Sequence, residues 1–220
     1  MKKYEFTGET MQFPGRTLKR IRALTELTFG DETIQAGTEG GWIEGEKNLP
    51  KDGNAWVSGN AWVYGNARVY GNAWVSDDAR VYGNAQVSGN ARVYGDAQVY
   101  GNAQVSGNAR VYGDAQVYGN AQVYRNARVY GNARVYGNAK IEKTADYFII
   151  GPIGSRNDMT TFFRCVDRSI KVKCGCFRGT LAEFAEKVDK THGDSKHGQM
   201  YRLAIELAKK QLEEEQKHDD

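Results

Sequence analysis

The chain has 220 residues, with 30 Lys and Arg against 27 Asp and Glu, for a net charge of +3. That length allows one or two domains, and so even a charge balance excludes the basic footprint of a nucleic-acid binder. No apolar run is long enough to span a bilayer, Met1–Phe6 lacks the apolar core of a signal peptide, and the three cysteines, odd in number and all C-terminal, fit a reduced cytosol, so a cytoplasmic location is expected.

Residues 1–52 read as an N-terminal cap. Thr17 to Leu24 alternates loosely, and Leu27-Thr28-Phe29 runs into the turn signal Gly30-Asp31, which predicts short strands. Ile43 and Leu49 stand six apart and are placed to begin a coil. Pro50-Lys51-Asp52 then breaks into a strict repeat.

From Gly53 to Glu142 the chain consists of fifteen consecutive six-residue units, almost all Gly-Asn-Ala-x-Val-Tyr/Ser. A fixed short period over such a length marks a solenoid. In Ala-x-Val-Tyr, alternate side chains point to opposite faces, so Ala and Val point inward while x and Tyr or Ser point out. Gly-Asn supplies a corner, because both residues tolerate left-handed backbone angles. Three units close one triangular coil of 18 residues, and fifteen units give five coils. Each coil buries its Ala/Val pairs only against a neighbour, so both ends need caps. Asp77 and Arg125 replace corner glycines and mark candidate irregularities.

This run resembles the transferase hexapeptide-repeat superfamily, whose coils form a left-handed parallel β-helix. The resemblance covers Gly53 to Glu142 and extends back to Gly41-Trp42-Ile43. Its pattern is an aliphatic residue followed four positions later by a small one, as in Val57 and Ala61. The Tyr or Ser just after the aliphatic residue departs from it. The whole chain is also similar to hexapeptide-repeat proteins of gut bacteria and their phages, and no established activity comes with that similarity.

Residues 143–220 change composition and read as a small α+β domain. Tyr147 to Ile150 is a strand ended by Gly151-Pro152, and Thr161–Val166 with Ile170–Phe177 reads as a hairpin across Asp167-Arg168-Ser169. Thr180-Leu181-Ala182-Glu183 is a capping box opening a helix with Leu181, Phe184 and Val188 on one face. A second helix, from about Ser195 to Glu215, is expected to bury Met200, Leu203, Ala204 and Leu207, and Glu213 to Asp220 is expected to fray. The fold class is therefore mainly β, with a five-coil left-handed β-helix between an N-terminal cap and this domain.

Positions 18 apart stack, so the exterior reads as ladders. The first face carries Trp56, Trp74, Arg92, Arg110 and Arg128, beside Ser58, Ser76, Tyr94, Tyr112 and Tyr130. The second carries Trp62, Arg80, Gln98, Gln116 and Arg134, beside an unbroken tyrosine column from Tyr64 to Tyr136. The third carries Arg68, Gln86, Gln104, Gln122 and Lys140. Two readings of these ladders stay open: like residues stack well and stabilise parallel strands, or the faces are aromatic platforms for a protein or a glycan. On the second reading the binding residues are Trp56, Trp74, Arg92, Arg110, Arg128, Tyr94 and Tyr112. Asp78, Asp96 and Asp114 stack at one corner, where Arg92, Arg110 and Arg128 are near enough in sequence to neutralise them.

The enzymes of the resembled superfamily work through histidine, as a general base or as zinc ligands. Here His192, His197 and His218 all lie outside the repeat, so no coil carries such a group. Cys165, Cys174, Cys176 and His192 have the atoms of a zinc site, but Cys174 and Cys176 alternate onto one strand face, as core cysteines do. The expectation is a non-enzymatic binding or scaffold protein of the cytoplasm, without cofactor or metal. It would meet a protein partner or a second copy of itself, and in a phage or prophage setting it would inhibit a host system. The alternative is an acyltransferase-like enzyme with an atypical site.

Overall fold

The structure, a computed structural model, describes residues 2–212. The expected fray at Glu213–Asp220, the last turn of the second helix and His218 lie outside the described residues. The N-terminal segment contains strands β1 (Tyr4–Phe13), β2 (Arg16–Ala23), β3 (Leu27–Phe29), β4 (Glu32–Ile34) and β5 (Glu39–Ile43). Fifteen two-residue strands, β6–β20, follow from Trp56–Val57 to Lys140–Ile141. The C-terminal segment holds β21 (Tyr147–Ile153), β22 (Asp158–Arg164), β23 (Ile170–Cys174), β24 (Phe177–Thr180), α1 (Leu181–His192) and α2 (Lys196–Leu212).

The short strands stack in parallel as a β-solenoid. Each rung pairs with the one 18 residues on, as Trp74 with Arg92 and Val75 with Val93. Every hexad Ala and Val from Ala55 to Val135 is fully buried. The solenoid makes about six turns, because β5 adds a parallel rung ahead of the hexads, Trp42 opposite Trp62 and Ile43 opposite Val63. Ile43 and Leu49 belong to the same continuous core.

The corners explain the glycine. At Gly101, φ is +71°, and an added Cβ would lie 2.9 Å from the backbone nitrogen of Gly119 one turn on. Asp77 and Arg125 hold the same left-handed angle, with φ of 60° and 59°, so the coil stays regular there and the two residues carry the strain. The neighbouring asparagines form amide ladders, such as Asn84 Nδ2 to Asn102 Oδ1 at 3.0 Å and Asn90 Nδ2 to Asn108 Oδ1 at 3.0 Å.

The two ends close differently. Because most inter-turn N–H groups donate toward the following turn, the first turn leaves mainly carbonyls open and the last mainly N–H groups. Val69 N–H, which reaches back to the Asn48 carbonyl at 2.8 Å, and the Asn138 carbonyl, which accepts from Val166 N–H at 3.0 Å, run the other way. At the start, Asn48 Nδ2 donates to the carbonyls of Gly65 and Ala67 at 3.0 and 2.9 Å. Tyr4 donates its hydroxyl to the Leu49 carbonyl at 2.8 Å, and buried Lys3 donates to the carbonyls of Asp52 and Gly53 at 3.1 Å each. At the finish, the N–H groups of Arg128 and Arg134 donate to the hydroxyls of Thr144 and Thr161 at 3.2 and 3.1 Å, and that of Tyr130 to the Tyr147 hydroxyl at 3.3 Å. Asp146 accepts from the N–H groups of Glu142 and Lys143 at 2.8 Å each.

Beyond this end β21–β24 form an antiparallel sheet with α1 and α2 against it. β21 runs through Gly151-Pro152 instead of ending there. It is an edge strand with an irregularity between Ile150 and Ile153, where proline's missing N–H removes no ladder bond. α1 opens on the expected box, Glu183 N–H to Thr180 Oγ1 at 3.2 Å and Thr180 N–H to Glu183 Oε2 at 2.7 Å. The stripe of α2 differs from the expected one: Tyr201, Ala204, Ile205, Ala208 and Leu212 are buried, while Leu203 and Leu207 are 61% and 50% exposed. Ala204 and Ala208 are small members of the core that α2 shares with α1 and the sheet.

Candidate functional site: the outer ladders of the solenoid

The x and Tyr positions of each hexad stand outside, and register places them in columns. Tyr64, Tyr82, Tyr100 and Tyr118 stack with ring centroids 4.9–5.1 Å apart and planes 1° from parallel. On the first face Tyr94 and Tyr112 stack at 4.9 Å, and Tyr112 and Tyr130 at 5.4 Å. Burial of these rings raises the phenol pKa of Tyr94 and, for Tyr82, pushes it up to about 12, with neighbouring tyrosines adding to the rise and nearby arginines opposing it.

The ladders are partly occupied by the chain itself. Phe13, at the turn between β1 and β2, packs its ring against Trp62 at 5.3 Å and Tyr64 at 5.5 Å. At the other end of that column the Arg178 guanidinium lies over Tyr118 and Tyr136, at 5.4 and 5.8 Å from the centroids, and Phe163 meets Tyr136 edge-on at 5.0 Å. On the first face, the β3–β4 hairpin lies on Trp74: Phe29 packs on the indole at 5.1 Å, and Arg92 donates to Glu32 Oε1 at 2.5 Å and to the Phe29 carbonyl at 3.0 Å.

This occupation divides the residues expected to bind. Trp56 is wholly buried, packed in the core with Ile21 and Val57, so its expected place as a surface anchor is corrected. β5 covers the first turn so closely that a Cβ on Gly40 would lie 2.8 Å from the Trp56 ring. Trp74 and Arg92 bind the hairpin, and the Trp74 indole N–H donates to Ser58 Oγ at 2.7 Å. Arg110 and Arg128 are exposed, beside half-buried Tyr94 and Tyr112 and the 41% exposed Tyr130. Among the described residues neither Arg110 nor Arg128 forms an ion pair, with the corner aspartates or with any other acid, whereas Arg92 pairs with Glu32.

Cavities adjoin these surfaces, among them one of about 240 Å³ lined by Met11, Trp42, Trp62 and Arg80. A larger one, of about 300 Å³, lies beside the hairpin between Trp74, Ser76, Asp77, Tyr94 and Arg110. Another, of about 250 Å³, lies where the last turn meets the C-terminal sheet, among Lys140, Glu142, Lys143, Asp146, Arg164 and Arg168. The Glu142 carboxylate there is drawn down to about 2 by hydrogen bonds from Lys140 and Tyr124. Sequence reasoning missed these cavities, because each forms where a flanking segment meets a turn of the solenoid.

The cysteines part company. Cys165 lies in the solenoid core, Cys174 borders the core of the C-terminal segment, and Cys176 is exposed. Among the described residues no three His, Cys, Asp or Glu side chains come together as a ligand set. His192 and His197 sit with ring centroids 6.1 Å apart near the α1–α2 turn. No helix among the described residues is long and apolar enough to cross a membrane.

The family model described as the YdcK beta solenoid repeat matches the chain at residues 61–77, 85–101, 103–115, 115–129 and 127–141, all within the stacked turns. No curated protein matches the sequence.

Proposed function

We propose that this β-solenoid repeat protein is a non-enzymatic scaffold that meets a protein partner, or a second copy of itself, through the middle of its first face. The observation that carries the reading is selective exposure. The chain's own segments cover Trp56, Trp74 and Arg92, yet leave Arg110 and Arg128 exposed and without an ion pair among the described residues, beside stacked Tyr94, Tyr112 and Tyr130. Tyrosine and arginine are the usual anchors of protein contacts, and a stacked ladder offers them already ordered, so little side-chain entropy is lost on docking.

The finer picture belongs to the same proposal: a left-handed helix of five triangular hexad coils, residues 53–142, between a cap at 1–52 and an α+β unit at 143–220. It extends to kinship with hexapeptide-repeat proteins of gut bacteria and phages, acting in the cytoplasm on a host system.

The test is the pair Tyr112→Ser and Arg128→Gln, both residue types that the repeat already uses at equivalent positions, Ser106 and Gln104. We expect thermal stability to change little while oligomer mass in solution falls to that of a single chain, or capture of a host protein falls at least tenfold. Unchanged mass and capture in a folded double variant would move the contact off this face.

A further inference from the structure

The first-face tyrosine column is incomplete, and the gap has the form of a binding site. Its positions run Ser58, Ser76, Tyr94, Tyr112, Tyr130. Tyr94 therefore has a ring on one side, Tyr112 at 4.9 Å, and on the other only the hydroxymethyl group of Ser76 one turn away. The cavity of about 300 Å³ occupies this missing rung. On the second face the equivalent positions are filled by Tyr64 and Tyr82, stacked at 5.1 Å, so the gap follows from serine at two hexads.

The walls are polar and balanced. Asp77 stands at the corner in a left-handed conformation, φ 60°, with Oδ2 accepting from the Gly95 N–H at 2.9 Å, which holds its carboxylate at the rim. Arg110 supplies a guanidinium without an ion pair among the described residues. Arg92 pairs with Glu32 at the cavity wall, and the Ser58 hydroxyl is fixed by the Trp74 indole. Two acids, Glu32 and Asp77, face two arginines, Arg92 and Arg110, so the lining favours neither an anion nor a cation.

We propose that this notch binds a neutral pyranose ring of a glycan. The exposed π face of Tyr94 is electron-rich and receives the polarised C–H face of a sugar. The Asp77 carboxylate and the Ser76 hydroxyl accept from its hydroxyls, and Arg110 donates to its oxygens. A volume near the lower limit for ligand pockets, about 300 Å³, suits one ring and not a buried chain. A flat aromatic ligand would stack equally well but would leave the carboxylate, guanidinium and hydroxyls unpaired at its edge, a cost that a sugar avoids. The notch adjoins the face proposed to meet a protein and does not depend on it.

The experiment uses the full chain with the methyl glycosides of glucose, galactose, mannose and N-acetylglucosamine. Binding is read by saturation-transfer NMR and by tryptophan fluorescence, since Trp74 lines the notch. At least one glycoside is expected to bind saturably. Ser76→Tyr, which fills the gap with the residue that position carries one turn later, should weaken that binding at least tenfold with the melting temperature unchanged. Should Ser76→Tyr fail to fold, Tyr94→Ser, which removes the floor, should give the same loss. Absence of binding by all four glycosides, or binding that survives a folded Ser76→Tyr or Tyr94→Ser variant, overturns the proposal. So does preferential binding of p-cresol, which would make the notch a socket for aromatic side chains.

Discussion

The two ends of the solenoid present mainly opposite backbone groups, and the side chains that close each are of the matching kind, while backbone partners such as the Asn48 carbonyl and the Val166 N–H serve the minority groups. At the start, carbonyls are met by side-chain donors, the Asn48 amide, the Tyr4 hydroxyl and the Lys3 ammonium, while the Asn48 carbonyl accepts from Val69 N–H. The last turn exposes N–H groups and is met by acceptors: the hydroxyls of Thr144, Tyr147 and Thr161 and the Asp146 carboxylate. A parallel stack has a direction that its side-chain pattern conceals. An unpaired backbone group costs about as much as a lost hydrogen bond, so the caps are specified by that direction as well as by apolar packing.

The middle of the stack sets the scale against which the ends are measured. Val99 is fully buried between turns above and below, with no polar group near enough to be recruited from a cap. Val99→Asp should therefore destabilise by more than about 4 kcal/mol, the range of an uncompensated buried charge, seen as loss of a cooperative melt. A variant that melts within a few degrees of the wild type would show that the Ala/Val interior is not what holds the turns together.

At the closing end the cost should track how many backbone groups each acceptor serves. Asp146 serves two N–H groups at 2.8 Å and lies 3.8 Å from Arg164, so Asp146→Ala should cost roughly 3 kcal/mol. Thr161 serves one N–H through a neutral hydroxyl, and Thr161→Val, nearly the same shape, should cost about 1 kcal/mol. Denaturant midpoints for the two variants check the ranking. Equal losses would mean that both residues matter for packing and not for the open edge.

The same contrast explains what was legible in the sequence. Within the repeat each residue's spatial neighbour lies 18 positions away by rule, so inside and outside, the rung register and the columns all follow from period and alternation. The caps obey no such rule. Tyr4–Phe13 gave no strand signal because Gly8 interrupts it, and Leu203 and Leu207 look like core although the stripe that α2 buries is Tyr201, Ala204, Ile205 and Ala208. The burial of Trp56 and the occupation of Trp74 and Arg92 come from β5 and the β3–β4 hairpin, whose landing points no local pattern encodes. Exposure of Arg110 and Arg128 is thus defined by what the N-terminal segment fails to reach.

Lys3 sharpens the opening end through pH. Burial holds its ammonium down to about 8, against an ordinary value of 10.5, with Asp52 opposing the fall. Below pH 8 both folded and unfolded chains keep the proton, and folding bears the full cost of burying the charge. Between pH 8 and 10.5 the unfolded chain holds a proton that the folded chain has shed, so this residue's contribution to stability rises with pH through that window. Tyr4 beside it, and the ladder tyrosines, have phenol pKa values raised by burial. They cost stability only once the unfolded chain ionises, near pH 10 and above, and buried Cys165, whose thiol is also raised by burial, acts equally in both chains, so the difference between wild type and variant at pH 7.5 and 9.5 isolates the lysine. The wild type should gain about 2 kcal/mol relative to Lys3→Met between those two values, read as the difference in urea midpoints. A wild-type-to-variant difference that stays constant with pH would mean that the ammonium bridging the Asp52 and Gly53 carbonyls keeps its proton throughout, and that the donor end tolerates a buried charge as readily as the acceptor end tolerates Asp146.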